Sequence, residues 1–192
     1  MIVAKTLNLL SVRKQALRIE AFWHSANINE AIKTLGSEEN KLMEMDDAED
    51  WAWCDAQFAA IEAYVKAQNI PHGVICDWPE WYAAPYVGLW AVEDPADPGF
   101  VGHWILAGDT TGVQPQPVAF DSLPAEDCAE PREALAAFAK KWAALAAAAA
   151  KGTAWTGSPV LSGDLSQQAT QLARQAELLK LWASDDDMWD ED

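Results

Sequence analysis

Two apolar runs separated by a turn-rich segment constrain the fold of this chain more than any other feature. The runs cover residues 86–92 and 100–107, and the segment between them, 93–99, contains two prolines and three acidic residues. Apolar runs of this length on either side of such a turn predict an antiparallel hairpin. Neither run alternates between apolar and polar positions, so we expect both faces of the resulting sheet to be covered.

Helical patterns on both sides of the hairpin supply the elements that would cover it. Apolar residues at helical spacing predict helices over residues 51–68 and 131–151, and a capping-box-like start at Asp164 predicts a final helix. Short β-rich runs are expected at 73–76 and, as an edge strand, at 118–120. The predicted fold class is α+β: a small antiparallel sheet with a central hairpin, flanked by helices and preceded by a helical N-terminal arm.

The charge of the chain changes sharply along its length. The 192 residues include 30 acidic and 13 basic side chains, a net charge of -17. Residues 1–42 hold six basic and four acidic groups, whereas residues 43–192 hold seven basic and 26 acidic groups. We therefore divide the chain into a basic amphipathic helical arm (1–45), an acidic α+β domain (46–184) and an acidic tail (185–192).

The arm carries an apolar stripe at spacings of three and four residues. One helical face would present Leu9, Val12, Ala16, Ile19 and Trp23. Arg13, Lys14 and Arg18 lie largely off that face. Three interpretations remain open: the arm packs on the acidic body of its own chain, it grips another chain, or it contacts lipid or acts as a transit-like leader.

Composition excludes several classes of function and partner. The strong negative charge disfavours direct binding to nucleic acid or to an anionic membrane, and favours a basic protein partner. No stretch approaches the ~20 apolar residues of a membrane-spanning helix. Three widely spaced cysteines without a Cys-x-x-Cys pair, and no signal-like start, indicate reduced thiols and a cytoplasmic location.

No motif of a known enzyme class or cofactor site is present, so no cofactor or metal is expected. A Gly-rich dinucleotide loop, a phosphate loop, a Gly-x-Ser-x-Gly elbow and a zinc-protease motif are all missing. Cys76 and His103 could form a thiol beside a base, or a buried thiol and a structural histidine. Asp77 and Asp109 could form a carboxylate pair, or each could bond its own turn.

Tryptophan usage is a stronger indication than any titratable group. Trp78, Trp81, Tyr82 and Tyr86 fall within nine residues that also include two prolines. They form either core aromatics over the small sheet or an aromatic contact site for a partner. Trp189, in the acidic tail, belongs either to a docking peptide or to a frayed end.

Three ordered segments resemble successive motifs of an uncharacterised family of small proteobacterial proteins. They are residues 84–90, residues 104–109, and residues 131–135 with Phe138 and Trp142. The resemblance covers about residues 51–183. It implies a bacterial cytoplasmic domain, and the family has no assigned activity to transfer to this chain.

The sequence thus predicts a non-enzymatic acidic binding protein for a basic protein partner, in the manner of an adaptor, an immunity-type inhibitor or a secretion chaperone. The alternative is a small hydrolase or ligand-binding domain that uses Asp77 and Asp109. A pocket joining those two carboxylates would favour the alternative. A flat acidic face with exposed aromatic rings would favour binding. The oligomeric state is left open.

Overall fold

A computed structural model describes residues 47–83, 87–108, 119–156, 159 and 164–189. The predicted arm, Tyr86 and Asp109 lie outside these residues. The described elements are α1 (Asp47–Gln68), β1 (Trp81–Ala83), β2 (Val87–Glu93), β3 (Val101–Gly108), β4 (Ala119–Pro124), α2 (Pro131–Ala149) and α3 (Leu165–Ser184), with short 3-10 turns at Ala125–Asp127 and Asp186–Met188. The α+β prediction is confirmed. Among these helices, none is both long enough and apolar enough to cross a membrane.

The four strands form one antiparallel sheet in the order β1-β2-β3-β4. The predicted hairpin is β2 with β3, in a register that pairs Ala91 with Trp104. The predicted strand at 73–76 forms only a single bridge, from Ile75 to Val92. The chain bends at Asp77 and re-enters the sheet at Trp81. Pro79, between those two residues, has no N–H to offer a ladder, so the strand is interrupted there.

Helices cover both faces of the sheet, as the lack of alternation in the two runs predicts. On one face, the side chains of Leu89 and Trp104 pack under α2 and α3. On the other face, Trp90 and Ile105 pack against Ile61 of α1. This three-layer arrangement explains why the first six positions of β2 are all buried, because each face of the strand meets a helix layer.

Local sequence signals set the starts of α2 and α3. Glu130 and Glu133 form a capping box at α2, whose first residue is Pro131. At α3, Asp164 accepts from the backbone N–H of Gln167 at 2.9 Å, and the Gln167 side chain accepts from the Asp164 N–H at 3.1 Å. The predicted capping box at Asp164 is therefore confirmed.

A buried carboxylate ties the edge strand β4 to α2. Asp121 has no exposed surface, and its carboxylate oxygens accept from Lys141 Nζ at 2.5 Å and from Trp142 Nε1 at 2.6 Å. On the opposite face of β4, the Phe120 ring stacks on that of Tyr64, with centroids 5.2 Å apart. The edge strand is therefore held by α2 on one side and by α1 on the other.

Candidate functional site

The aromatic segment that begins at Trp78 is divided between the two faces of the sheet. Trp81 and Tyr82 are neighbours on β1, so their side chains point to opposite faces. Trp81 is fully buried under α3, with its ring centroid 5.3 Å from that of Trp182. Tyr82 is 5% exposed and packs on the α1 side with Cys54. Both residues are core aromatics in this structure.

Trp78, which is half-buried, forms an aromatic pair with an exposed residue of α1. Its ring centroid lies 4.3 Å from that of Trp51, whose side chain is 59% exposed. Trp78 also meets the buried Tyr82 ring edge to face, with centroids 5.6 Å apart. We call Trp51 and Trp78 the aromatic patch. The patch rests on Tyr82, so it is anchored to the core while one ring stays largely in solvent.

The start of α1 is fixed against the sheet by close packing, which positions the patch. The Trp53 ring centroid lies 6.1 Å from that of the buried Trp90. A Cβ at Gly88 would lie 2.5 Å from the Trp90 ring and 3.4 Å from the Trp53 ring. Only glycine leaves room for these two indoles, so Gly88 helps to set the position of α1 and, through it, of Trp51.

Charge separates across the sheet, and the aromatic patch lies on the acidic side. Residues 47–83 carry seven acidic side chains and one basic side chain, whereas α2 and α3 together carry two acidic and five basic ones. The exposed carboxylates of Asp55 and Asp77 lie close to the patch along the chain: Asp55 is one helical turn after Trp51, and Asp77 precedes Trp78. A cation that approaches Trp51 therefore meets carboxylates as well as an aromatic face.

The C-terminal segment is attached to the domain as far as Trp189. The Trp189 ring stacks on that of Trp81, and its indole N–H donates to the carbonyl of Trp182 at 2.9 Å. Arg132 donates to the carboxylate of Asp186 at 2.6 Å and to the carbonyl of Ala183 at 2.7 Å. Trp189 is thus a half-buried part of the aromatic cluster under α3.

The structure does not bring Cys76 and His103 together. His103 pairs with Val92, whose side chain faces α1, whereas Cys76 packs with the cluster under α2 and α3. Burial raises the pKa of the Cys76 thiol to about 11, and nearby carboxylates add to the rise. Burial also lowers the pKa of the His103 imidazole, which favours its neutral form. The thiol is protonated at neutral pH, which is the unreactive form.

The second carboxylate candidate of the sequence, Asp77, is exposed at the bend before β1. Asp109, its proposed partner, lies outside the described residues. Within the described part of the chain, no group of three or more histidine, cysteine, aspartate or glutamate side chains has the arrangement of a metal site.

Sequence reasoning missed Trp51, which is the most exposed member of the patch. The signal that identifies it is its helical phase: Trp51 precedes the buried Cys54 by three residues and extends the apolar stripe of α1 beyond the core. Two further large apolar residues are exposed, Val74 and Phe100, at the opposite end of β2. They flank Glu93, whose carboxylate accepts backbone N–H groups of Val74 and Gly99, each at 2.8 Å.

Comparison with known proteins gives a family without a function. No curated protein and no solved structure matches this chain. A family model described as "Domain of unknown function (DUF4826)" matches residues 47–189, a range that runs from the first residue of α1 to Trp189. Because this match covers most of the chain, the protein belongs to the DUF4826 family.

Proposed function

We propose that this DUF4826 protein is a non-enzymatic binding protein that captures a basic segment of another protein on the α1 side of its sheet. Trp51 and Trp78 are the apolar anchors, and the surrounding carboxylates attract the partner. The proposal includes the adaptor, inhibitor and chaperone-like roles, which share this mode of binding.

The observation that carries this proposal is the exposed indole of Trp51, which contacts the half-buried indole of Trp78 among acidic residues. Trp51 is 59% exposed although its neighbour Trp78 is anchored to the core through Tyr82. A large aromatic side chain in contact with water loses favourable burial energy, about 25 cal/mol per Å² of apolar surface. Contact with a partner would recover that energy, and tryptophan is enriched among the residues that dominate binding energy.

The chemistry around the patch supports a basic partner. Lysine and arginine bind favourably over the face of an indole, and the exposed carboxylates of Asp55 and Asp77 can pair with the same cations. The net charge of -17 adds long-range attraction for a cationic protein. Residues 47–83 carry seven acidic side chains and one basic side chain, which adds to this attraction on the α1 side.

The state of the cysteines supports a reducing compartment. Cys54, Cys76 and Cys128 form no disulfide in the described part of the chain, and two of them are buried. Cysteines outside disulfides are typical of cytosolic proteins. We therefore place the proposed binding function in the cytoplasm.

The test is binding of a synthetic peptide of lysine and leucine to variants of the patch. Replacing Trp51 with alanine should weaken binding by on the order of 2 kcal/mol, which is about 30-fold in Kd. The matched control is Phe100→Ala, because Phe100 is 66% exposed but lies outside the patch, in the turn just before β3, where its carbonyl accepts from the backbone N–H of Asp94. That control should bind the peptide as the natural protein does.

A second probe separates specific contact from charge alone. A polylysine peptide without leucine should bind weakly and lose its affinity for the protein between about 50 mM and about 500 mM salt, because the Debye length falls to a few ångströms. Equal losses of lysine–leucine peptide affinity in Trp51→Ala and Phe100→Ala would contradict the proposed site. Unchanged affinity in Trp51→Ala would do so as well.

A further inference from the structure

We infer that the aromatic patch has an occupant within its own chain: the basic amphipathic segment 9–23, which competes with the partner for Trp51 and Trp78. This inference rests on the proposed function, because it concerns the regulation of the same site. The proposed function alone gives the arm no role, and this inference gives it one.

The position of the patch in the chain makes this contact accessible. Trp51 lies one helical turn after Asp47, the first residue of α1. Residues 24–46 connect the amphipathic segment to that point, and a chain of this length can span up to about 3.3–3.6 Å per residue. The segment is therefore tethered beside the patch at an effective concentration on the order of millimolar.

The chemistry of the segment matches that of the patch. Its apolar face carries Ile19 and Trp23, which can cover the exposed indole of Trp51. Its cations, among them Arg13 and Arg18, can pair with the carboxylates beside the patch and can lie over the aromatic rings. Segment and site thus have opposite charge and complementary apolar surfaces.

Other surfaces of the described domain suit this segment less well. The helices α2 and α3 carry two acidic side chains against five basic ones, and Asp186 beside them already pairs with Arg132, so this layer offers few carboxylates to the cations of the segment. The exposed pair Val74 and Phe100 flanks Glu93, but both carboxylate oxygens of Glu93 already accept backbone N–H groups. The aromatic patch combines the exposed indole of Trp51 with the exposed carboxylates of Asp55 and Asp77, and of these surfaces it lies nearest along the chain to the segment.

Occupation of the patch by the segment would weaken the apparent affinity of the protein for an external partner. An external partner binds only the fraction of molecules in which the patch is open, so its apparent Kd rises by the inverse of that fraction. A tethered competitor at about millimolar effective concentration, binding with a Kd of about 0.1 mM, would leave the patch open in roughly one molecule in ten.

The first experiment compares two full-length variants that keep the net charge unchanged. Val12→Ser with Ile19→Ser removes apolar contacts from the segment, and Ile28→Ser with Ile32→Ser makes an equal change outside it. The first variant should bind the lysine–leucine peptide about tenfold more tightly than the natural chain does. The second should bind it as the natural chain does.

The outcomes distinguish the two proposals. If the Val12→Ser, Ile19→Ser protein binds the peptide no more tightly, while Trp51→Ala still weakens binding, the internal competitor is overturned and the proposed function stands. If adding Trp51→Ala to the Val12→Ser, Ile19→Ser protein does not weaken peptide binding, the proposed function itself fails.

A photo-crosslink locates the segment directly. A benzophenone amino acid in place of Ala16 in the full chain should crosslink within the same molecule, to residues 47–83. Crosslinks to α2 or α3 would overturn the inference. Crosslinks between two molecules would also overturn it, because they would assign the patch to a second copy of the chain.

Discussion

The indole of Trp189 lies nearly parallel to that of Trp81, with ring centroids 6.0 Å apart and planes inclined by 16°. The sequence indicates both residues as candidate anchors for a partner, and in the folded domain they contact each other. Trp81 has no exposed surface, and Trp189 is held by its bond to the carbonyl of Trp182. Among the tryptophans of the described residues, it is instead Trp51, in contact with Trp78, that is largely exposed.

Replacing Trp189 with alanine should destabilise the domain. The change removes the stack on Trp81 and leaves part of the core exposed, at a cost of about 2 kcal/mol, which is a fall in Tm of about 4–8 °C for a chain of this size. Trp189→Phe should lose less, because it keeps a ring on Trp81. Thermal unfolding followed by circular dichroism measures the difference. Trp51→Ala is the matched control, and an equally large fall in its Tm would contradict this role for Trp189.

Replacing Asp121 with alanine should destabilise the domain more than replacing it with asparagine, which removes only the charge. Asp121→Ala leaves the buried indole N–H of Trp142 without an acceptor and should cost about 3 kcal/mol, whereas Asp121→Asn retains an acceptor and should cost less. Urea unfolding gives both values. The double variant Asp121→Asn with Lys141→Met should be more stable than the sum of the single changes predicts, because Lys141→Met alone leaves a buried charge unpaired. If the losses of unfolding free energy in the two single variants simply add up in the double variant, Asp121 and Lys141 do not stabilise each other.

The stability of the protein should fall when the pH drops below about 6.5, the ordinary pKa of histidine. Burial lowers the pKa of His103 in the folded state, against the opposing effect of Asp94 and Glu126. The unfolded chain therefore binds a proton at a higher pH than the folded chain does, and stability is lost from pH 6.5 down to the lowered folded pKa. His103→Gln should flatten this window in urea unfolding measured across pH. An unchanged slope in the variant would assign the pH dependence to other groups.

Association and dissociation of the lysine–leucine peptide should depend on different features of the site. Raising the salt concentration should slow association far more than it speeds dissociation, because exposed carboxylates act over about a Debye length, ~8 Å at physiological salt. Trp51→Ala should speed dissociation and leave association nearly unchanged, since an indole acts only on contact. Surface plasmon resonance separates the two rates. Salt-independent association would contradict the electrostatic role of the acidic layer.

The sequence allowed prediction of the elements whose signals are local. The turn-rich segment 93–99 marks the β2–β3 hairpin, and the capping box at Asp164 marks the start of α3. The edge strand is also confirmed, although β4 extends to Pro124, beyond the predicted 118–120. Each of these features depends on residues that are close together in the chain.

Long-range features could not be predicted in this way. Whether Cys76 and His103 meet depends on which sheet face each occupies, and the bend at Asp77 that interrupts the first predicted strand shifts the register. The acceptor role of Asp121 requires α2 to lie over β4, about 20 residues away along the chain. Exposure of Trp51 depends on what the rest of the fold leaves uncovered, which no local pattern encodes.

Chemical-shift mapping of the ¹⁵N-labelled protein with the lysine–leucine peptide shows whether a basic partner binds at the aromatic patch. We expect the indole N–H signals of Trp51 and Trp78, and the backbone amides of the first turns of α1 and of residues 77–82, to shift as the peptide is added. The amides of the outer faces of α2 and α3 should stay in place. Shifts concentrated on α2 and α3, with the two indole signals unmoved, would show that the peptide binds elsewhere and that the aromatic patch is not the binding site.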